Sequence, residues 1–262
     1  MFLTLLGLPI DELPTFLAMK DGIIRPDHVT GTVFGSDVAV AHQRATATSI
    51  YEYFDAALDE LEGAGSRRED LLSLFLDSEV DGHKLTREDI LDICFLFLIA
   101  GLDTVTATLD CMFGYLSTHP EQRRRLVDDP ALIPGAIEEM LRWETPVMGV
   151  VRIAMEDTEI GGCPVHRGDQ VVALLGSANT DEDDVERAGD VLLDREVNRH
   201  LAFGGGVHRC LGSHLARQEL RVALREWHRR IPEYAVAPGV ELEYTAAIRS
   251  IEHFPMVFTA AR

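Results

Sequence analysis

The sequence predicts a mainly α-helical protein with small β-sheets, read as a single domain over residues 1–262. Three observations predict it. Apolar residues recur at helical spacing between 47 and 144, the period drops towards two after Pro146, and helical spacing returns over 211–231. No repeat, low-complexity tract or linker divides the chain.

Taken in order, residues 1–20 read as an apolar segment broken by Pro9 and Pro14, and 21–42 as a loop rich in Gly, Asp and His. Residues 47–65 place Ile50, Phe54, Ala57, Leu58 and Leu61 on one stripe and stop at Gly63 and Gly65, which predicts an amphipathic helix. A shorter helix covers 68–78. Thr86 and Asp89 stand at capping-box spacing, with Asp in place of the usual Glu, at the head of one long helix running to Pro120. Its most apolar part, 90–102, holds Asp92, is followed by Asp103 and is too short to span a bilayer, so it reads as a buried helix. Helices at 121–129 and 134–144 each have a proline close to their start. Strands within 148–155, 158–162 and 169–177, a polar irregular stretch over 179–199, a long helix over 211–231 and two weak strands complete the order.

The chain is 46% hydrophobic and 26% charged, an ordinary globular composition. Its 24 Lys and Arg against 44 Asp and Glu give a net charge of -20, which repels phosphate backbones and anionic headgroups and argues against nucleic acid or a membrane as partner. Four cysteines, Cys94, Cys111, Cys163 and Cys210, lie far apart without a CxxC pair, so neither a disulfide framework nor a zinc ribbon is written here. A reducing cytoplasm fits that usage. The apolar opening MFLTLLGLPI lacks the basic region and cleavage site of a signal peptide.

Residues 200–212, HLAFGGGVHRCLG, set three glycines, a histidine and one thiol between a strand-like run and the last helix. Cys210 precedes that helix, where free N–H groups and the macrodipole favour a thiolate. Gly204, Gly205 and Gly206 permit turns closed to other residues and clear the space over the sulfur, while Phe203 offers a flat apolar wall. Read from the residues alone, Cys210 is also consistent with a small buried hydrophobe. A phosphate loop fails because GxGxxG requires glycine at Arg209, and zinc through His208, Cys210 and His214 lacks a fourth ligand.

Two further stretches carry chemistry. In AGLDT, 100–104, Asp103 and Thr104 are costly inside an apolar helix unless partnered, and Gly101 lets the helix bend and open. Glu139 and Arg142 share a helix face at i, i+3, a spacing that most often makes a surface salt bridge of little weight. Arg217, Arg221, Arg225 and Arg229 trace a basic arc along the last helix, with Arg209 and Arg230 nearby and Glu219 and Glu226 moderating it.

Together these stretches resemble the cytochrome P-450 family. FGGGVHRCLG matches the pattern F-G-x-G-x-H/R-x-C-x-G at every fixed position, AGLDT matches A-G-x-D/E-T, and Glu139 with Arg142 matches E-x-x-R. The resemblance implies a P-450-like fold, its C-terminal two-thirds, and haem b (iron protoporphyrin IX) with Cys210 as the axial iron ligand. It implies that Phe203, Gly204 and Gly212 belong to the haem loop and that His208 contacts a propionate, with His200 and Arg152 in positions that commonly do likewise. Ala100 and Gly101 then line the oxygen groove, and Asp103 and Thr104 deliver protons. Glu139 and Arg142 become part of a buried network normally completed by a second arginine. That position holds Asp190, which leaves Arg187 or Arg195 as the substitute.

The function implied is that of a soluble, bacterial-type haem-thiolate monooxygenase acting on a hydrophobic small-molecule substrate. Electrons come from a ferredoxin or flavodoxin and its reductase, docked on the basic arc. Relatives carry a substantial segment before the point where this chain begins, so the chain reads as truncated at its N-terminus. A remnant that holds haem weakly without turnover, and a helical module without haem, are the competing readings.

Overall fold

The computed structural model describes residues 2–65, 68–245 and 248–258. The chain divides into two compact units, Met1–Asp103 and Thr104–Arg262.

The first unit runs α1 (Phe2–Leu5), a 3-10 turn (Ile10–Glu12), α2 (Leu13–Ile24), α3 (Pro26–Thr30), α4 (Asp37–Gly63), α5 (Leu71–Asp77), a hairpin of β1 (Glu79–Val80) and β2 (His83–Lys84), and α6 (Arg87–Gly101). The broken segment and loop expected over 1–42 are instead largely helical. Pro14 falls in the first turn of α2, where its missing N–H is not needed, and left-handed Gly31 (φ 66°) ends α3. α4 begins at Asp37 rather than 47, capped by the Ser36 hydroxyl accepting from the Ala39 amide. Before Ile50 only Ala39 is buried in α4, so the early turns leave almost no apolar stripe to read. The expected stripe of Ile50, Phe54, Leu58 and Leu61 is buried, and it packs with Phe16, Leu72, Ile90, Cys94 and Leu98 in this unit's core.

At the head of α6 both halves of the capping box form. The Thr86 amide donates to Asp89 (2.8 Å) and the Asp89 amide to the Thr86 hydroxyl (3.1 Å). Only Ile90, Cys94 and Leu98 of α6 are buried and Leu96 is exposed, so the helix is one-sided rather than enclosed. The run Arg87–Thr118 is long and apolar enough to cross a membrane by composition. The expected single helix is nevertheless two: α6 ends at Gly101 and α7 starts at Thr104, each 15 residues long, where a span needs about 20.

The second unit runs α7 (Thr104–Thr118), α8 (Pro120–Asp128), a 3-10 turn (Pro130–Leu132), α9 (Ile133–Glu144), β3 (Val150–Ile153), β4 (Thr158–Ile160), β5 (Cys163–Val165), β6 (Gln170–Ala173), α10 (Leu175–Asn179), a 3-10 turn (Gly206–His208), α11 (Ser213–Arg230), β7 (Tyr234–Val236) and β8 (Met256–Phe258). Strands pair antiparallel as β3 with β6, β4 with β5 and β7 with β8. The strand expected over 169–177 stops at Ala173. There the Gly176 amide turns to the Met148 carbonyl and the Ala178 amide to the Leu174 carbonyl, which starts α10. The core joins Met112, Phe113 and Leu116 of α7 to Ile137, Met140 and Leu141 of α9 and to Leu220 and Leu224 of α11.

Within that core His228 is 4% exposed, with Nε2 3.0 Å from the Tyr234 hydroxyl. Burial, aided by the charge of Arg123, pulls its pKa down from 6.5 to about 4. The unfolded chain takes up this proton first, so the stability contributed by the neutral ring is whole above the ordinary value. It is lost progressively as pH falls towards about 4, a loss of roughly 3 kcal/mol. A His228→Phe variant is expected to flatten the pH dependence of the urea midpoint over that interval, and an unchanged slope contradicts a buried neutral ring.

Candidate functional site

α9 packs Ile133, Ala136, Ile137, Met140 and Leu141 into the core and carries Glu139 and Arg142 inward with them, both 0% exposed. Two full charges at such depth are tolerable only when every polar atom is bonded. Arg142 donates to Glu139 from Nε (3.0 Å) and Nη2 (2.9 Å), and to the carbonyls of Asn179 (2.9 Å), Ala188 (2.8 Å) and Asp190 (2.9 Å). Arg195 donates to the same carboxylate from Nε (2.9 Å) and Nη2 (3.1 Å), joined by the Leu192 amide (2.8 Å) and Asn198 Nδ2 (2.9 Å). The open third position is thus filled by Arg195. Arg187 pairs at the surface with Asp190 (2.7 Å), whose main chain rather than side chain serves the network. Burial alone would raise the Glu139 carboxyl; the hydrogen bonds from Arg142, Arg195 and Leu192 overturn that and hold it at about 2.

This network ties the irregular stretch 179–199 to α9 and leads directly into the glycine loop. The Gly204 amide donates to Leu201 O (2.8 Å), and Gly204 and Gly206 adopt φ 67° and 64°, which side chains rarely take. The Cys210 amide donates back to Phe203 O (2.8 Å), closing the loop, and Gly212 stands as the N-cap of α11. Cys210 is a free, exposed thiol. Beside it Val207 and Leu211 are 98% and 81% exposed. Among the described residues no group of three His, Cys, Asp or Glu side chains could hold a metal ion. A metal held by Cys210 would therefore have to draw other ligands from outside these side chains, and the glycine turns and bare apolar side chains suit a flat, apolar group. These residues fit haem, and the zinc set of His208, Cys210 and His214 gains no further ligand.

Phe203 packs on the core, and the Arg217 guanidinium lies 4.5 Å from its ring centroid. His200 accepts the Ala202 amide at Nδ1 (3.2 Å), so Nε2 carries the proton donated to Glu138 (3.1 Å). Arg217 clasps the same Glu138 carboxylate (2.7 and 2.8 Å). Arg152 on β3 and His208 in the 3-10 turn are exposed and outside both carboxylate networks; Arg152 bonds the Val151 carbonyl (2.8 Å). Of the basic arc, Arg217 is held by Glu138, while Arg225 and Arg229 share Glu226 (3.7 and 3.0 Å). Among the described residues, Arg199, Arg209 and Arg221 carry no ion pair. Arg199 and Arg209 line a cavity of about 270 Å³ beside the loop with Glu138, Asn198 and His200.

In the first unit Asp103 follows the end of α6 and is 7% exposed. Lys20 Nζ donates to it (2.9 Å), and Arg25 donates from Nη1 (3.2 Å) and Nη2 (2.8 Å). Burial opposes ionisation, but these bonds outweigh it and hold the carboxyl below its ordinary value. Ala100 and Gly101 form the exposed end of α6, and a Cβ at Gly101 would meet the Phe2 ring at 2.8 Å. Thr104 opens α7, its carbonyl accepting from the Thr108 hydroxyl (2.7 Å). Sequence reasoning missed Lys20 and Arg25, although they are the only Lys or Arg before Arg44. It also missed Glu138 and Asn198, which no motif marks.

The family model for cytochrome P-450 matches residues 36–130 and 131–227. Cytochrome P-450-terp of a Pseudomonas species is 31% identical over 99% of this chain and 61% of its own length. The mycinamicin IV hydroxylase/epoxidase of Micromonospora griseorubida is 35% identical over 75% of this chain and 50% of its own. A mutant of P-450 EryK, solved in complex with erythromycin B, superposes with a TM-score of 0.88 at 28% identity, over 100% of this chain and 67% of that one. The chain belongs to the cytochrome P-450 family, with the mainly helical fold and small sheets of its members. It spans 61% and 50% of the lengths of the two relatives just described.

Proposed function

We propose that the chain holds haem b through Cys210 and inserts one oxygen atom from O2 into an apolar small-molecule substrate, in the cytoplasm. The observation that carries this is the exposed thiol on a glycine-turned loop that continues from the segment held by the buried Glu139–Arg142–Arg195 network. When bound, the haem supplies thiolate-assisted cleavage of the O–O bond. The protein's own contribution is positional. Phe203, Gly204 and Gly212 shape the loop, and the exposed His208 and Arg152 are hydrogen-bonding groups suited to propionates, while His200 joins them only by giving up its bond to Glu138. Ala100 and Gly101, at the exposed end of α6, line the groove for dioxygen on this reading. Asp103, ionised between Lys20 and Arg25, accepts a proton and passes it towards the hydroxyl of its neighbour Thr104. Electrons arrive from a ferredoxin or flavodoxin and its reductase, acidic partners suited to the uncompensated Arg199, Arg209 and Arg221.

Haem titration of the purified chain tests this reading. One haem per chain is expected, with NAD(P)H consumption once the redox proteins are added. Charge reversal at Arg209 and Arg221 together should slow that consumption and flatten its salt dependence. Failure to bind haem refutes the reading; binding without consumption favours an inert remnant.

A further inference from the structure

Beyond the motif residues, Glu138 and Arg217 form a cluster tied through Phe203 to the loop that carries the sulfur. Glu138 of α9 receives a two-pronged bond from Arg217 of α11 (2.7 and 2.8 Å) and the His200 Nε2 proton (3.1 Å). Arg217 also reaches back to the Ser213 carbonyl (3.4 Å), so its guanidinium is fixed at one end by its own helix and at the other by α9. Its guanidinium carbon lies over the Phe203 ring, 4.5 Å from the centroid. Phe203 in turn accepts the Cys210 amide on its carbonyl (2.8 Å). The aromatic ring and the peptide group of one residue are therefore held from opposite ends, by the cation and by the cysteine.

We propose that Arg217, clamped by Glu138, is a positioning residue that fixes Phe203 within the loop and sets the charge felt at Cys210. The inference rests on the reading of Cys210 as the iron ligand. A fixed cation close to an anionic sulfur favours whichever state of the bound metal is more negative, the reduced one, and Glu138 opposes that cation. The attraction between Arg217 and Cys210 is among the influences that raise the guanidinium pKa, after the bond to Glu138 and the opposing effect of burial. Arginine is needed for its planar fork: lysine keeps the charge but can neither clasp both carboxylate oxygens nor stack on the ring.

The test is potentiometry of the haem-loaded protein, with the carbonyl-bound spectrum recorded for each variant. Arg217→Gln removes the cation and is expected to shift the reduction equilibrium roughly tenfold towards the oxidised form, about 59 mV for one electron. Glu138→Gln, which leaves the cation unopposed, is expected to shift it the other way. Arg217→Lys should recover most of the potential while melting at a lower temperature. Simple loosening of the loop would move both neutralising variants in one direction, so shifts of the same sign, or none, overturn the proposal. Should Arg217→Gln fail to load haem, Glu138→Gln and Arg217→Lys decide it. A wild-type spectrum without thiolate character refutes the Cys210 reading itself, and the proposal falls with it.

Discussion

Glu139→Gln is expected to cost the Thr104–Arg262 unit on the order of 3–5 kcal/mol, because it strands two arginines around one buried point. Arg142 has no exposed surface, and the Arg195 side chain is 9% exposed, so neither can turn to water. The amide keeps the shape but must direct an N–H at a donor. Urea unfolding should show a lowered midpoint with an unchanged slope, since the surface released is the same. A loss below about 1 kcal/mol contradicts a fully engaged buried carboxylate. The acid limb provides a second reading. Held at about 2 against an ordinary 4.5, Glu139 contributes stability that is whole above the ordinary value and lost as pH falls through the depressed one. The variant lacks that part of the acid dependence, so its stability should change less with pH there than that of the wild type.

Asp103→Asn should act on both stability and turnover. In the Met1–Asp103 unit it leaves Lys20, 7% exposed, and Arg25 with the half-exposed Asp21 as their one remaining acidic partner among the described residues. The expected cost is about 2–3 kcal/mol, less than for Glu139 because Asp21 remains. On the proposed function, substrate oxidation should fall by roughly 100-fold or more, the range for loss of a proton-transfer group, with a larger solvent isotope effect and an unchanged haem spectrum. Turnover within twofold of wild type removes Asp103 from proton delivery.

The sequence was legible where side-chain chemistry acts locally. The Thr86 and Asp89 pair is a capping box because the two residues need only each other and one helical turn. The stripe from Ile50 to Leu61 was plain because large apolar residues face one core. Before Ile50 the same helix holds mostly small and polar residues with one buried alanine, so its start carries no periodic signal. Pro14 reads as a break and residues 21–42 as a loop, yet Pro14 opens a helix and Gly31 closes one. The break after Gly101 is foreshadowed by polar residues in an apolar run, but the cations that donate to Asp103 lie 83 and 78 positions away. The choice between Arg187 and Arg195 likewise depended on which side chain turned inward from an irregular stretch, and that is decided by the fold of 179–199 rather than by any local pattern.

The most direct test of the central claim is the reduced, carbonyl-bound absorption spectrum of the haem-loaded chain beside that of Cys210→Ala. A strongly red-shifted Soret band in the wild type, replaced in the variant by an ordinary haem band or none, is the predicted result. A red-shifted band that survives the substitution would contradict Cys210 as the iron ligand.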